Sequence, residues 1–114
     1  MTKRLSILTA ILLTLTSQAS IAECIAPTNT PIIPDGHVAS QDELIAAQNA
    51  VKAFQERNLS FLLCLDEQRA ALTPEAEGNE EKMAAFKQAE DDAIELEKSV
   101  ANEFNTARKA FMAR

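Results

Sequence analysis

The stretch Ser40–Leu72, SQDELIAAQNAVKAFQERNLSFLLCLDEQRAAL, decides the fold. Its first four residues, Ser40-Gln41-Asp42-Glu43, match a capping box, in which the serine hydroxyl accepts from the Glu43 amide and the Glu43 carboxylate reaches back to the amide of Ser40. Asp42 and Glu43 also put negative charge at the positive end of a helix dipole. Beyond the cap, Leu44, Ala47, Val51, Phe54, Phe61, Leu65 and Leu72 recur mostly in steps of three and four, which marks one apolar face of a helix. Asn58, and then Gln68 or Arg69, are the polar residues on that seam. Neither proline nor glycine interrupts the run, which predicts a single helix of about 30 residues, roughly 45 Å long.

Downstream, Thr73-Pro74-Glu75 offers a second start, with Thr at the N-cap and Pro in the first turn. Gly78 and Asn79 loosen the same turn, so a second helix begins either at Pro74 or near Asn79. Its apolar line is Met83, Phe86, Ala89, Ala93, Leu96, Val100, Phe104, Ala107 and Phe111, with Arg108, Lys109 and Arg114 at the negative end of its dipole. Two long amphipathic helices with a short connection predict an all-α antiparallel hairpin, in which facing residue numbers sum to about 150. Phe54 then meets Leu96, Val51 meets Val100, and Leu65 meets Phe86, in coiled-coil-like packing. The helical domain spans residues 40–114.

Upstream, residues 23–39 cannot stay helical, because Pro27, Pro31 and Pro34 each remove a donor and bias the preceding residue towards extended geometry. Pro34-Asp35-Gly36 is turn chemistry, with the glycine expected to take a positive φ. This extended arm carries Cys24, and the first helix carries Cys64, the only other cysteine. An arm of about 16 residues reaches some 50 Å when extended, enough to run back along the first helix to Cys64, some 36 Å from the helix start. A Cys24–Cys64 disulfide is therefore expected, laying Ile25, Ile32 and Ile33 over the groove between the helices. Closing that loop stabilises a small fold by roughly 4 kcal/mol in the chain-entropy model.

Residues 1–22 read as a removable signal peptide. Lys3 and Arg4 precede an apolar stretch from Leu5 to about Leu15, and Ser20 and Ala22 are small residues before the expected cut. The apolar core falls short of the roughly 20 residues needed to span a bilayer, so no membrane span is expected after cleavage. A lipid anchor on Cys24 is excluded by Glu23, since lipobox cleavage needs a small residue directly before the cysteine. The expected address is periplasmic or secreted, where a disulfide persists.

Charge narrows the function. Loss of Lys3 and Arg4 takes the net charge from −6 to about −8. Such a surface repels nucleic acid and anionic membranes. Trp and Tyr are absent, so a binding hot spot of the usual aromatic kind is missing. His37, the sole histidine, has no ligand partners at zinc spacing and reads as a loop residue. No catalytic constellation and no cofactor motif stands out, and an enzyme is not expected.

The densest charge feature is Glu90-Asp91-Asp92 with Glu95 and Glu97. Asp91, Asp92 and Glu95 are candidate ligands for a divalent cation, with Asp91 and Glu95 one turn apart on one helix. A solvated helix face with a Glu95–Lys98 pair is the favoured reading. Arg57 on the facing helix is expected to pair with a carboxylate of this run. Asn58 either fixes helix register from inside the seam or meets water at its edge. Asn58-Leu59-Ser60 also matches a glycosylation sequon, although a mid-helix position makes the match uninformative.

The pattern Cys24…Pro31-Ile32-Ile33-Pro34-Asp35-Gly36…Ser40…Val51-Lys52-Ala53-Phe54…Cys64-Leu65 resembles a group of small exported helical proteins of proteobacteria with no assigned function. The resemblance covers about 40 residues and implies a periplasmic address and a disulfide, with no activity and no site residues. The expected role is a non-enzymatic interaction or structural module of the cell envelope. Its partner would be another protein, or a second copy paired into a four-helix dimer through the Phe54, Phe61, Phe86 and Phe104 faces. A cation- or small-ligand-binding protein is the alternative.

Overall fold

In the computed structural model, residues 24–73 and 75–114 are described. The expected signal peptide, at 1–22, lies outside them, as does Pro74. The architecture is all-helical: α1 spans Gln41–Ala70 and α2 spans Asn79–Met112, packed against each other as a hairpin. No described helix is long and apolar enough to cross a membrane.

α1 starts where its cap dictates. Ser40 is extended, at φ −74° and ψ 162°, and its hydroxyl accepts from the Glu43 amide at 3.1 Å. The reciprocal bond of a full capping box, from the Ser40 amide to the Glu43 carboxylate, is not formed among the described residues. The second helix begins at Asn79, the later of the two expected starts. Gly78 stands before it at φ 80°, a left-handed conformation that breaks any helix running in from Thr73. The turn is tied off by Asn79, whose Nδ2 donates to the Thr73 carbonyl at 2.7 Å.

The hairpin seam holds two apolar clusters. One joins Val51, Phe54 and Val100, with Ile33, Leu96 and Phe104 packed against them. The other joins Phe61, Leu65 and Ala93, with Cys24, Leu62, Phe86 and Ala89 alongside. Each expected facing pair falls within one cluster: Phe54 with Leu96, Val51 with Val100, and Leu65 with Phe86. The antiparallel register is the one expected from the short connection, about which facing residue numbers sum to about 150.

The arm enters this seam, although less of it than expected is buried. Ile33 packs on the first cluster, whereas Ile25 and Ile32 are 83% and 91% exposed. Alternation of the extended chain accounts for the neighbouring pair: Ile33 points into the groove, so Ile32 points away. The turn after Pro34 also differs from expectation. Main-chain bonds run to the Asp35 carbonyl from Val38 at 3.2 Å and Ala39 at 2.9 Å. Gly36 does not take a positive φ; Gly78 alone does among the described glycines. Gly36 is required for space instead, because a Cβ there would stand 1.8 Å from the Ala107 carbonyl oxygen. The arm turn therefore wedges against α2, where small Ala107 leaves room for it.

Candidate functional site

Three features of the hairpin carry its chemistry: the tether of the arm, a polar layer within the seam, and the charged and apolar outer faces.

The tether is the Cys24–Cys64 disulfide, which closes a sequence separation of 40 with Cα atoms 5.6 Å apart. Beyond it, Arg57 holds the arm by donating from Nη2 to the Asn29 carbonyl at 3.0 Å. Arg57 was expected to pair with the acidic run on α2. It turns to the arm instead, since an extended segment offers main-chain oxygens that no helix partner satisfies. At the other end, Arg114 reaches the same arm, its Nη1 donating to the carbonyls of Ala39 at 2.8 Å and His37 at 3.2 Å. The guanidinium also lies 4.7 Å from the centre of the Phe111 ring.

The polar layer is Asn58, 1% exposed and set between the two apolar clusters. Its Nδ2 donates to the Ala93 carbonyl across the hairpin at 3.1 Å. Its Oδ1 has no protein partner. The inward position is the one the structure adopts, and burial closes the sequon at Asn58 to glycosylation. A cleft of about 220 Å³ beside it is bordered by Ala26 and Pro27 of the arm and by Asp92 and Leu96 of α2.

The acidic face of α2 is divided rather than convergent. Asp91 accepts from Lys87 at 2.9 Å, and Asp92 accepts from the Gln88 amide at 2.9 Å. Salt bridging to Asp91 raises the Lys87 pKa. Glu95 borders a separate cleft of about 730 Å³ at the arm turn. Each acid thus turns to its own surroundings, and among the described residues no group of three metal-binding side chains is assembled. The Glu95–Lys98 pair is not formed among the described residues. Across the hairpin the cation that meets this helix is Arg69, which bridges Asp66 on its own helix and Glu90 on α2, each at 3.0 Å. The hydrogen bond with Asp66, then the charge of Glu90, raises its pKa.

His37 forms a local pair with Asp35. The His37 amide donates to Asp35 Oδ1 at 3.0 Å, and ring Nδ1 lies 2.9 Å from the same oxygen. These bonds lower the Asp35 pKa, the amide most.

The phenylalanines expected to form a docking face lie in the seam. Phe54 is fully buried and Phe61 is 7% exposed, while Phe86 and Phe104 are half-buried against the same clusters. Folding the hairpin consumes the most apolar face of each helix, so these rings are core. The apolar groups left outside on α1 are Ile45, Leu59 and Leu63, each about half exposed. Sequence reading missed them because they are interleaved with polar residues on the face opposite the core, where a single leucine needs no explanation.

No protein-family description, curated protein or solved structure matches the chain.

Proposed function

We propose that the chain is an exported, non-catalytic helical module of the cell envelope that works through protein contacts. The observation that supports this reading most is the Cys24–Cys64 bond, which fastens the arm to α1. Such a bond persists in oxidising compartments outside the cytoplasm, and Lys3, Arg4 and the apolar stretch after them supply the route there. A hairpin whose helices each exceed 40 Å presents long outer faces and little enclosed volume, a shape suited to lateral contact with other helices. The acidic surface favours partners other than nucleic acid or anionic lipid. Kinship with the small exported proteins that share the Pro-Asp-Gly turn and the two cysteines belongs to the same proposal.

The experiment is expression of the full chain in a bacterial host, followed by cell fractionation, intact-mass analysis and cross-linking of the envelope fraction. The expected product starts at Glu23, carries an oxidised Cys24–Cys64 pair and cross-links to protein. A cytoplasmic product with free thiols would overturn the reading. Stoichiometric heat on titration with calcium or zinc would favour the cation-binding alternative.

A further inference from the structure

We propose that the outward face of α1 is a self-recognition surface on which a second copy of this chain docks antiparallel, making a row of four helices in which the two α1 helices meet at the centre and each α2 lies outside. The proposal rests on the reading of the chain as an interaction module and names its partner.

Ile45, Asn49, Lys52, Glu56, Leu59 and Leu63 follow one another along α1 in alternating steps of four and three. That spacing is a coiled-coil seam, and it lies opposite the seam that Val51, Phe54, Asn58 and Phe61 bury against α2. Its members are solvent-exposed, with Ile45 at 47%, Leu59 at 57% and Leu63 at 55%. The two charges at its centre, Lys52 and Glu56, join no ion pair among the described residues. A shallow hollow beside them is bordered by Gln55, Leu59 and Leu62.

The order of these residues is self-complementary in one direction only. When a second α1 runs antiparallel, Ile45 faces Leu63 of the second copy, Asn49 faces its Leu59, and Lys52 faces its Glu56. The two-fold axis repeats every pair, so two Lys–Glu contacts flank the axis and an Ile–Leu contact closes each end. A parallel pairing sets Lys52 against Lys52 and Glu56 against Glu56, which is repulsive. An antiparallel pairing shifted by one heptad would join Leu59 to Leu63, but it would set Glu56 against Asp66. Beyond the proposed contact Asp42 meets Asp66, itself bridged to Arg69, which limits the contact to about 27 Å of helix. An interface of that length is at the small end of the range, and dimerisation in the tens of micromolar, roughly, is expected.

Sedimentation equilibrium on the oxidised, exported protein tests this, with circular dichroism to check each variant's helix. The wild type should dimerise, and Leu63→Glu should abolish the dimer. Lys52→Glu and Glu56→Lys should each weaken it by about ten-fold, and the two together should restore it. A wild-type monomer at several hundred micromolar, or a dimer indifferent to Leu63→Glu, would overturn the surface. A dimer lost in Leu63→Glu but not recovered by the double charge exchange would overturn the antiparallel pairing. A monomer would leave envelope cross-linking able to find a different protein, so the two readings fail separately.

Discussion

Gly36 and Ala107 stand back to back: the glycine's missing Cβ is the space that the Ala107 carbonyl oxygen occupies, 1.8 Å from where that carbon would lie. The obstacle is helix backbone, which cannot rotate aside as a side chain can. Gly36→Ala should therefore push the arm turn off α2 and destabilise the fold by about 1–3 kcal/mol. Gly78→Ala should be harmful for the opposite reason, since nothing lies within 4 Å but φ is +80°, and should cost about 1 kcal/mol. Gly78→Asn should recover most of that loss, because asparagine tolerates the left-handed region, whereas Gly36→Asn should be worse than Gly36→Ala. Urea denaturation of the four variants checks the contrast.

Asn58 joins the helices at a cost, because one of its polar atoms is bonded across the seam and the other has no protein partner. Asn58→Ala should lose the cross-helix bond and leave a void, lowering stability by about 1–3 kcal/mol. Asn58→Leu should be as stable as the wild type or more so, yet less specific, because the amide marks the one antiparallel alignment that meets Ala93. The expected signature is an unchanged or raised melting temperature with broadened amide resonances from the seam.

The helices and their alignment were legible in the residues because a three-and-four spacing and an uninterrupted run report directly on which face is buried, as Phe54, Leu96, Val51 and Val100 illustrate. The disulfide was legible because reach alone tests a pairing of two cysteines. The arm was legible only in outline. Whether Ile32 or Ile33 enters the groove depends on the phase of an extended strand, and spacing between prolines does not set it. For Gly36 a turn motif suggests a positive φ, whereas the glycine is required by close approach to Ala107, which depends on a helix some 70 residues away in sequence. The partner of Arg57 is not legible in charge, because its hydrogen bond goes to an uncharged acceptor, the arm's Asn29 carbonyl.

Asp35 gives the arm turn a dependence on acid. Its carboxylate accepts from the His37 amide and ring, and these bonds hold its pKa below the ordinary 3.8. Between the lowered folded value and the unfolded one, the native state binds fewer protons than the unfolded state. Stability from this group is therefore complete above about pH 4 and is lost as pH falls through the folded value. The effect should be small because the pair is exposed. Carbon-detected titration of the Asp35 carboxyl should show a midpoint below 3.8. Asp35→Asn, which keeps an acceptor for the His37 amide, should remove that pH dependence while preserving the turn; Asp35→Ala should lose both.

Removal of the disulfide should loosen the arm from one end only. In Cys24→Ser/Cys64→Ser the chain-entropy contribution of about 4 kcal/mol is lost, and the urea midpoint should fall accordingly. The seam does not depend on the bond, since Phe54, Val51 and Val100 pack between the helices themselves, so the far-ultraviolet helix signal should persist in the cold. Within the arm, the stretch from Cys24 to Asn29 is held by one side-chain hydrogen bond, from Arg57 at 3.0 Å, while the turn at Asp35–Ala39 keeps its own main-chain bonds and those from Arg114. Nitrogen relaxation should show order parameters below about 0.6 for the first stretch and near 0.85 for the second. Uniform loss of order through Ala39 would mean that the disulfide, rather than Gly36 and Arg114, seats the turn on α2.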